Sequence, residues 1–253
     1  MRLSSGAGAG SGANLVTMGP APLRPPSVDE AADALAPVMP VPIEWPTIFD
    51  APSAVERAWT DFVANRPHAE MIVLRQALAF ARARHGSQTR RGGTAPYWVH
   101  LVRVGMELAT WRAATPVLLT AALLHDVVED TPTTIQEVAA GFGGDVATLV
   151  EWMTVIEPAP EAHLRAYYER LASEAPAPAH ILKIADRVDN LRSIQALVMR
   201  TGNRHRAWAG RYLQRTHWQV LPLVGGAPSQ ARVALFSAMA DLAPIVQPGF
   251  TQT

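Results

Sequence analysis

The chain has 253 residues, 22 Lys+Arg against 22 Asp+Glu, and 49% hydrophobic residues. That suffices for one substantial core, while the balanced charge excludes the basic footprint of a general nucleic-acid binder. Cysteine is absent, which removes disulfides, zinc–thiolate sites and thiol nucleophiles.

In chain order, residues 1–55 stand apart. SSGAGAGSGAN is Gly/Ser/Ala-rich, and prolines crowd the stretch to Pro52. Such a segment buries too little apolar area to offset its ordering entropy, so it is expected to be disordered or loosely docked. A short helix capped by Ser27 fits 28–36, and WPTIF (45–49) could dock as an aromatic anchor. The folded domain is expected over 56–253.

Helical spacing sets in near Ala54, with one helix running to His85, and a polar loop, GSQTRRGGTAP (86–96), follows. Further helices are predicted at 98–112, 116–130, 134–141, 145–153, 161–174, 179–199, 206–220 and 228–242. Pro116 suits a first helical position, Pro132 a stop, and GFGG (141–144) a glycine-capped end. No alternating strand is evident, so the fold class is all-α. There is no apolar run of about eighteen residues and no secretory block after Arg2. The chain reads as soluble and cytoplasmic, without a membrane partner.

The run AALLHDVVEDT (121–131) carries the chemistry. His125-Asp126 and Glu129-Asp130 lie three and four residues apart, on one face of a helix. The preceding VLLTAALL is apolar almost all round, as in a buried helix. Four ionisable groups closing such a helix are costly unless compensated, and a bound cation is the simplest compensation. Further polar groups interrupt apolar helices: His100 in the first turn after PYWV, and Asp186, Asn190 and Ser193 at one-turn spacing in ILKIADRVDNLRSI. Lys183 and Arg187 lie near that same face.

These pieces, in this order, resemble the HD-domain hydrolases of the RelA/SpoT type, which remove the 3′-pyrophosphate from (p)ppGpp. The resemblance runs from about Leu74 to about Pro222 and rests most on HDVVEDT and LKIADRVDNLR; HGSQTRRGGTAPYWVH, FGGDVATLVEWMT and RYLQRTHWQVLPL add to it. It implies an HD-domain helical bundle acting as a small stand-alone alarmone hydrolase. His100, His125, Asp126 and Asp186 would ligate a metal, usually Mn²⁺; this nitrogen/oxygen set would also accept Zn²⁺ or Fe²⁺. Glu129 and Asp130 would orient and activate water. Arg90 or Arg91, in a loop one residue longer than usual, would pack on the base. Asn190 and Ser193 would contact the nucleotide; beside the resemblance, basic residues such as Lys183 and the loop arginines are expected to hold its phosphates.

The chain departs from the family pattern at several positions. Leu101 follows the first histidine where proline is usual, Trp152-Met153 replaces a Gly-Val pair, Val155 takes the place of a lysine, Asp189 stands for histidine, and Ser193 for threonine. These motivate a second reading, a related nucleotide such as an adenosine alarmone. A third is an antitoxin that counteracts an alarmone-synthetase toxin, with a protein partner held by the N-terminal segment. His85 reads as a helix-end residue, and His163, His180, His205 and His217 as surface or packing residues.

Overall fold

A computed structural model describes residues 51–155 and 159–247. The expectations for 1–50, including the disordered segment, the helix at 28–36 and the WPTIF anchor, lie outside the described residues. The helices are α1 (Pro52–Ala64), α2 (His68–His85), α3 (Trp98–Thr110), α4 (Pro116–Leu124), α5 (Val127–Asp130) and α6 (Ile135–Phe142). They continue as α7 (Gly144–Met153), α8 (Glu161–Glu174), α9 (Ala177–Thr201), α10 (Arg206–Gln219) and α11 (Ser229–Val246). Among the described residues no β-strand occurs, and an isolated antiparallel bridge joins Thr89 to Pro96. The all-α reading therefore holds. The helical body starts earlier than position 56, because Pro52 supplies a first helical position and Val55 is buried on α1.

α4 is the central rod. Thr115 caps it by accepting from the Leu118 amide at 3.2 Å, with Pro116 in the first turn. Every residue from Leu118 to Leu124 is buried, and α2, α3 and α7 pack around the rod. An all-round apolar helix can only be enclosed in this way. Leu123 is fully buried, so Leu123→Ala is expected to cost about 2–5 kcal/mol through lost burial and a residual cavity. A urea titration of wild type and variant measures it; a loss below about 1 kcal/mol would contradict the central placement of α4.

One predicted boundary is corrected. The stretch 116–130 is two helices, because the first ends at Leu124 and α5 begins at Val127. The His125 ring shares a 2.8 Å hydrogen bond, through Nδ1, with the Ala122 carbonyl. That oxygen is the one the Asp126 amide would use in a continuous helix, and local side-chain bonding competes with the ladder. The Asp130 amide then donates to the Asp126 carbonyl at 2.8 Å, opening the next turn. The GFGG stretch behaves as read: Gly143, at φ +90°, ends α6 and opens α7.

α9, 25 residues long, crosses the bundle against α3, α7 and α11. Apolar residues such as Leu182, Val188 and Leu191 alternate along it with buried Lys183, Asp186, Arg187 and Asp189. The terminal nitrogens of Arg187 donate to Thr216 Oγ1 (3.0 Å), Gln219 Oε1 (2.7 Å) and the Tyr168 hydroxyl (3.3 Å), which ties α9 to α8 and α10. Among the described residues no helix is long and apolar enough to cross a membrane.

Candidate metal centre and nucleotide cavity

Three elements bring the central residues together. His100 comes from the first turn of α3, His125 and Asp126 from the break after α4, and Asp186 from the middle of α9. Ligand atoms of His100, His125 and Asp126 all lie within 4.8 Å of one another. Asp126 Oδ2 is 3.1 Å from His125 Nε2 and 3.4 Å from His100 Nε2. Asp186 Oδ1 closes the other side, 3.3 Å from His100 Nε2 and 3.7 Å from His125 Nε2.

The donor set fits a cation on an observation internal to the site. Both Nε2 atoms are buried and have no hydrogen-bond partner. Each Nδ1, by contrast, has an acceptor: Asp189 Oδ2 at 2.7 Å for His100, and the Ala122 carbonyl at 2.8 Å for His125. With the ring proton on Nδ1, each Nε2 directs a lone pair at the two carboxylates. That is the arrangement metal-ligating histidines adopt. Burial disfavours charging either imidazole, but the carboxylates outweigh it and raise both from their ordinary value. Burial likewise opposes the charge on Asp126 and Asp186, yet the histidines hold both far below the usual carboxylate range. Protons and a cation therefore compete for the same nitrogens, and acid weakens cation binding.

Glu129 and Asp130 stand outside this cluster, both exposed at its rim. Glu129 Oε2 accepts from the Val155 amide at 2.8 Å. Partial burial of its carboxyl, and then the negative charge of Asp126, push its pKa up to about 7 against the opposing pull of Lys183. Such a value suits a group that takes a proton near neutral pH. The Asp130 carbonyl accepts from Gln88 at 3.0 Å, which ties α5 to the 86–96 loop.

Next to His100 a cavity opens, lined by Arg90, Arg91, Arg103, Asp189, Ser193 and Arg200 among others. The 86–96 loop forms one wall. Gly92 sits at φ +70°, a conformation that favours glycine, and a Cβ there would meet Leu197 Cδ1 at 2.6 Å, so a larger residue would strain the turn and displace the Leu197 side chain. Arg200 donates to the Gly92 carbonyl at 2.8 Å and fixes that contact. Arg90 donates to Asn190 Oδ1, and the Asn190 amide donates to Asp186 Oδ1 at 2.6 Å, linking the loop to the centre. Arg91 instead lies over the Trp208 ring, 5.0 Å from its centroid. Ser193 lines the cavity, whereas Lys183 donates to the Met153 carbonyl at 3.3 Å, away from the arginine wall.

Three residues that sequence reasoning did not place in the site belong to its surroundings. Tyr97 donates to Asp126 Oδ2 at 2.7 Å and stacks on His85, with centroids 4.5 Å apart. Asp189, noted only as a departure, contacts His100, and Arg103 pairs with Asp189 Oδ1 at 2.7 Å. A signal existed: Arg103 and Asp189 each lie three residues after a candidate ligand, about one helical turn on and so on the ligand's own face.

Residues 77–210 match the HD domain family. The chain belongs to the HD-domain family. The Homo sapiens guanosine-3′,5′-bis(diphosphate) 3′-pyrophosphohydrolase MESH1 is 34% identical over 153 residues, which cover 57% of this chain and 85% of that protein. The Aquifex aeolicus guanosine-3′,5′-bis(diphosphate) 3′-pyrophosphohydrolase is 38% identical over 130 residues, covering 50% of this chain. This HD-domain chain spans only 18% of that longer protein. A solved structure described as a metazoan ortholog of SpoT that hydrolyzes ppGpp superposes with a TM-score of 0.55. Its identity is 26%, and the match covers 70% of this chain and 97% of that one. The resemblance read from HDVVEDT and LKIADRVDNLR is thus borne out at the level of the family, and His100, His125 and Asp126 form the His/Asp cluster of an HD domain.

Proposed function

We propose that this HD domain hydrolyses (p)ppGpp to GDP or GTP and pyrophosphate. The observation that carries the proposal is the pair of buried, unpartnered Nε2 atoms facing Asp126 and Asp186. Its substrate follows from the relatives, which are named for that reaction. His100, His125, Asp126 and Asp186 would hold the cation, with Mn²⁺ the assignment that mixed nitrogen and oxygen donors suit. When bound, a divalent cation offers Lewis acidity toward phosphoryl oxygens and lowers the pKa of water.

The chain's own groups do the rest. A water oxygen bonds to the phosphorus attached to the ribose 3′-oxygen, and the bond from that phosphorus to the 3′-oxygen breaks. Pyrophosphate departs, and the 3′-oxygen takes up a proton. Glu129, poised near neutral pKa, accepts the proton from the water, and Asp130 helps orient it. Tyr97 holds Asp126 by its hydroxyl. Arg90, Arg91 and Ser193 line the cavity for the nucleotide, Asn190 joins Arg90 to Asp186, and Lys183 supplies positive charge toward Glu129 and Asp186.

Ser193, which stands where threonine is usual, lines the cavity and motivates one second reading, an adenine-containing counterpart as substrate. The antitoxin reading rests on the N-terminal segment, outside the described residues. A panel of ppGpp, pppGpp and ppApp, with products separated chromatographically, tests the proposal. Release of GDP and GTP with pyrophosphate, faster than from ppApp, is expected. Turnover of ppApp alone would replace the guanine reading with the adenine one, and turnover of none would refute both.

A further inference from the structure

Asp189 is buried between the His100 imidazole and the Arg103 guanidinium, and each of its oxygens has its own partner. Oδ2 is 2.7 Å from His100 Nδ1, and Oδ1 is 2.7 Å from Arg103 Nε. Relative exposures of 1% for His100, 3% for Asp189 and 4% for Arg103 leave water little access to any of them. Arg103 also reaches Ser193 Oγ at 3.4 Å, so the guanidinium is braced from a second side. The other histidine is served differently, since His125 Nδ1 meets only the neutral Ala122 carbonyl.

Stability does not account for the pair. Burying an ion pair costs desolvation that its attraction barely returns, and apolar replacements of similar volume are often neutral or stabilising. What the pair does provide is direction. A carboxylate locked by a guanidinium can only accept from the imidazole, which keeps the ring proton on Nδ1 and frees Nε2 toward Asp126 and Asp186. A charged acceptor also makes that Nε2 a more basic donor than a carbonyl would.

We propose that Asp189, locked by Arg103, is a positioning residue that sets the tautomer and orientation of His100 and thereby the affinity of the centre for a divalent cation. The inference rests on the metal-centre reading above, but its test does not depend on turnover. Full-length wild type, Asp189→Asn and the double variant Arg103→Met/Asp189→Leu are compared. The double variant removes both charges together, so no buried ion is orphaned if the single variant folds poorly. Two quantities are read: the ¹⁵N NMR tautomer pattern of the histidines in cation-free protein at a pH alkaline enough to leave the imidazoles neutral, and Mn²⁺ affinity by competition with a chelating dye.

Wild type is expected to show His100 protonated on Nδ1 and to bind Mn²⁺. The double variant is expected to lose that single tautomer and to bind Mn²⁺ about 10–100-fold more weakly, with its helical circular dichroism preserved. Asp189→Asn, which keeps an acceptor but not the charge, should fall between. An unchanged His100 tautomer and unchanged Mn²⁺ affinity in the double variant would overturn the role of Asp189. Absence of Mn²⁺ binding by wild type would instead overturn the metal-centre reading, and the proposal with it.

Discussion

Asp126→Ala is expected to abolish pyrophosphate release from ppGpp, by at least about 10³-fold. The magnitude follows because a Lewis-acid cation supplies several kcal/mol and each ~1.4 kcal/mol is tenfold in rate. Asp126 Oδ2 is the oxygen that approaches both histidine Nε2 atoms, at 3.1 and 3.4 Å, and it also accepts from Tyr97. Its loss leaves two buried imidazoles and Asp186 around an incomplete site. The fold should survive, since the α4 core behind it is apolar and intact without that side chain. Turnover and bound metal are measured on the same preparation. A variant that folds and hydrolyses ppGpp at the wild-type rate would contradict the account.

Glu129→Gln is expected to behave differently. It should lower kcat by about 10²–10⁴-fold, the range of a lost general base, while cation binding stays close to wild type. Glu129 lies outside the ligand cluster, its Oε2 held by the Val155 amide. The pH profile separates the two variants further. A general base works only when ionised, so the rate falls as pH drops through its pKa. Burial, and then the Asp126 charge, raise Glu129 to about 7; a cation beside Asp126 offsets the second effect, so the acid limb should lie at or somewhat below 7. Residual activity of the glutamine variant should lack that limb. An unchanged kcat in Glu129→Gln would remove Glu129 from proton transfer.

Much of the frame was legible in the sequence because the signals are local. VLLTAALL has no polar face, so it marked the central rod, and the glycine at 143 marked the corner where its positive φ falls. The helix break at His125 was not legible, because it arises when a side chain takes a carbonyl that spacing alone assigns to the ladder. The same limit applies to the site. His125 and Asp126 announce themselves by adjacency, whereas the contact of His100 with Asp189 joins residues 89 positions apart. Aspartate in place of a usual histidine at 189 read only as a departure from the family pattern; folding sets it between His100 and Arg103. Arg90 and Arg91 were indistinguishable in the loop, and packing separates them: Arg90 turns to Asn190 and Arg91 to Trp208.

The central claim is that His100, His125, Asp126 and Asp186 hold a cation on which ppGpp hydrolysis depends. The most direct measurement strips the purified protein with a chelator, then follows pyrophosphate release from ppGpp as Mn²⁺ is added back. The account predicts negligible release without added cation and saturable recovery at one Mn²⁺ per chain. Release that persists unchanged in the stripped protein, or none at any Mn²⁺ concentration, would contradict it.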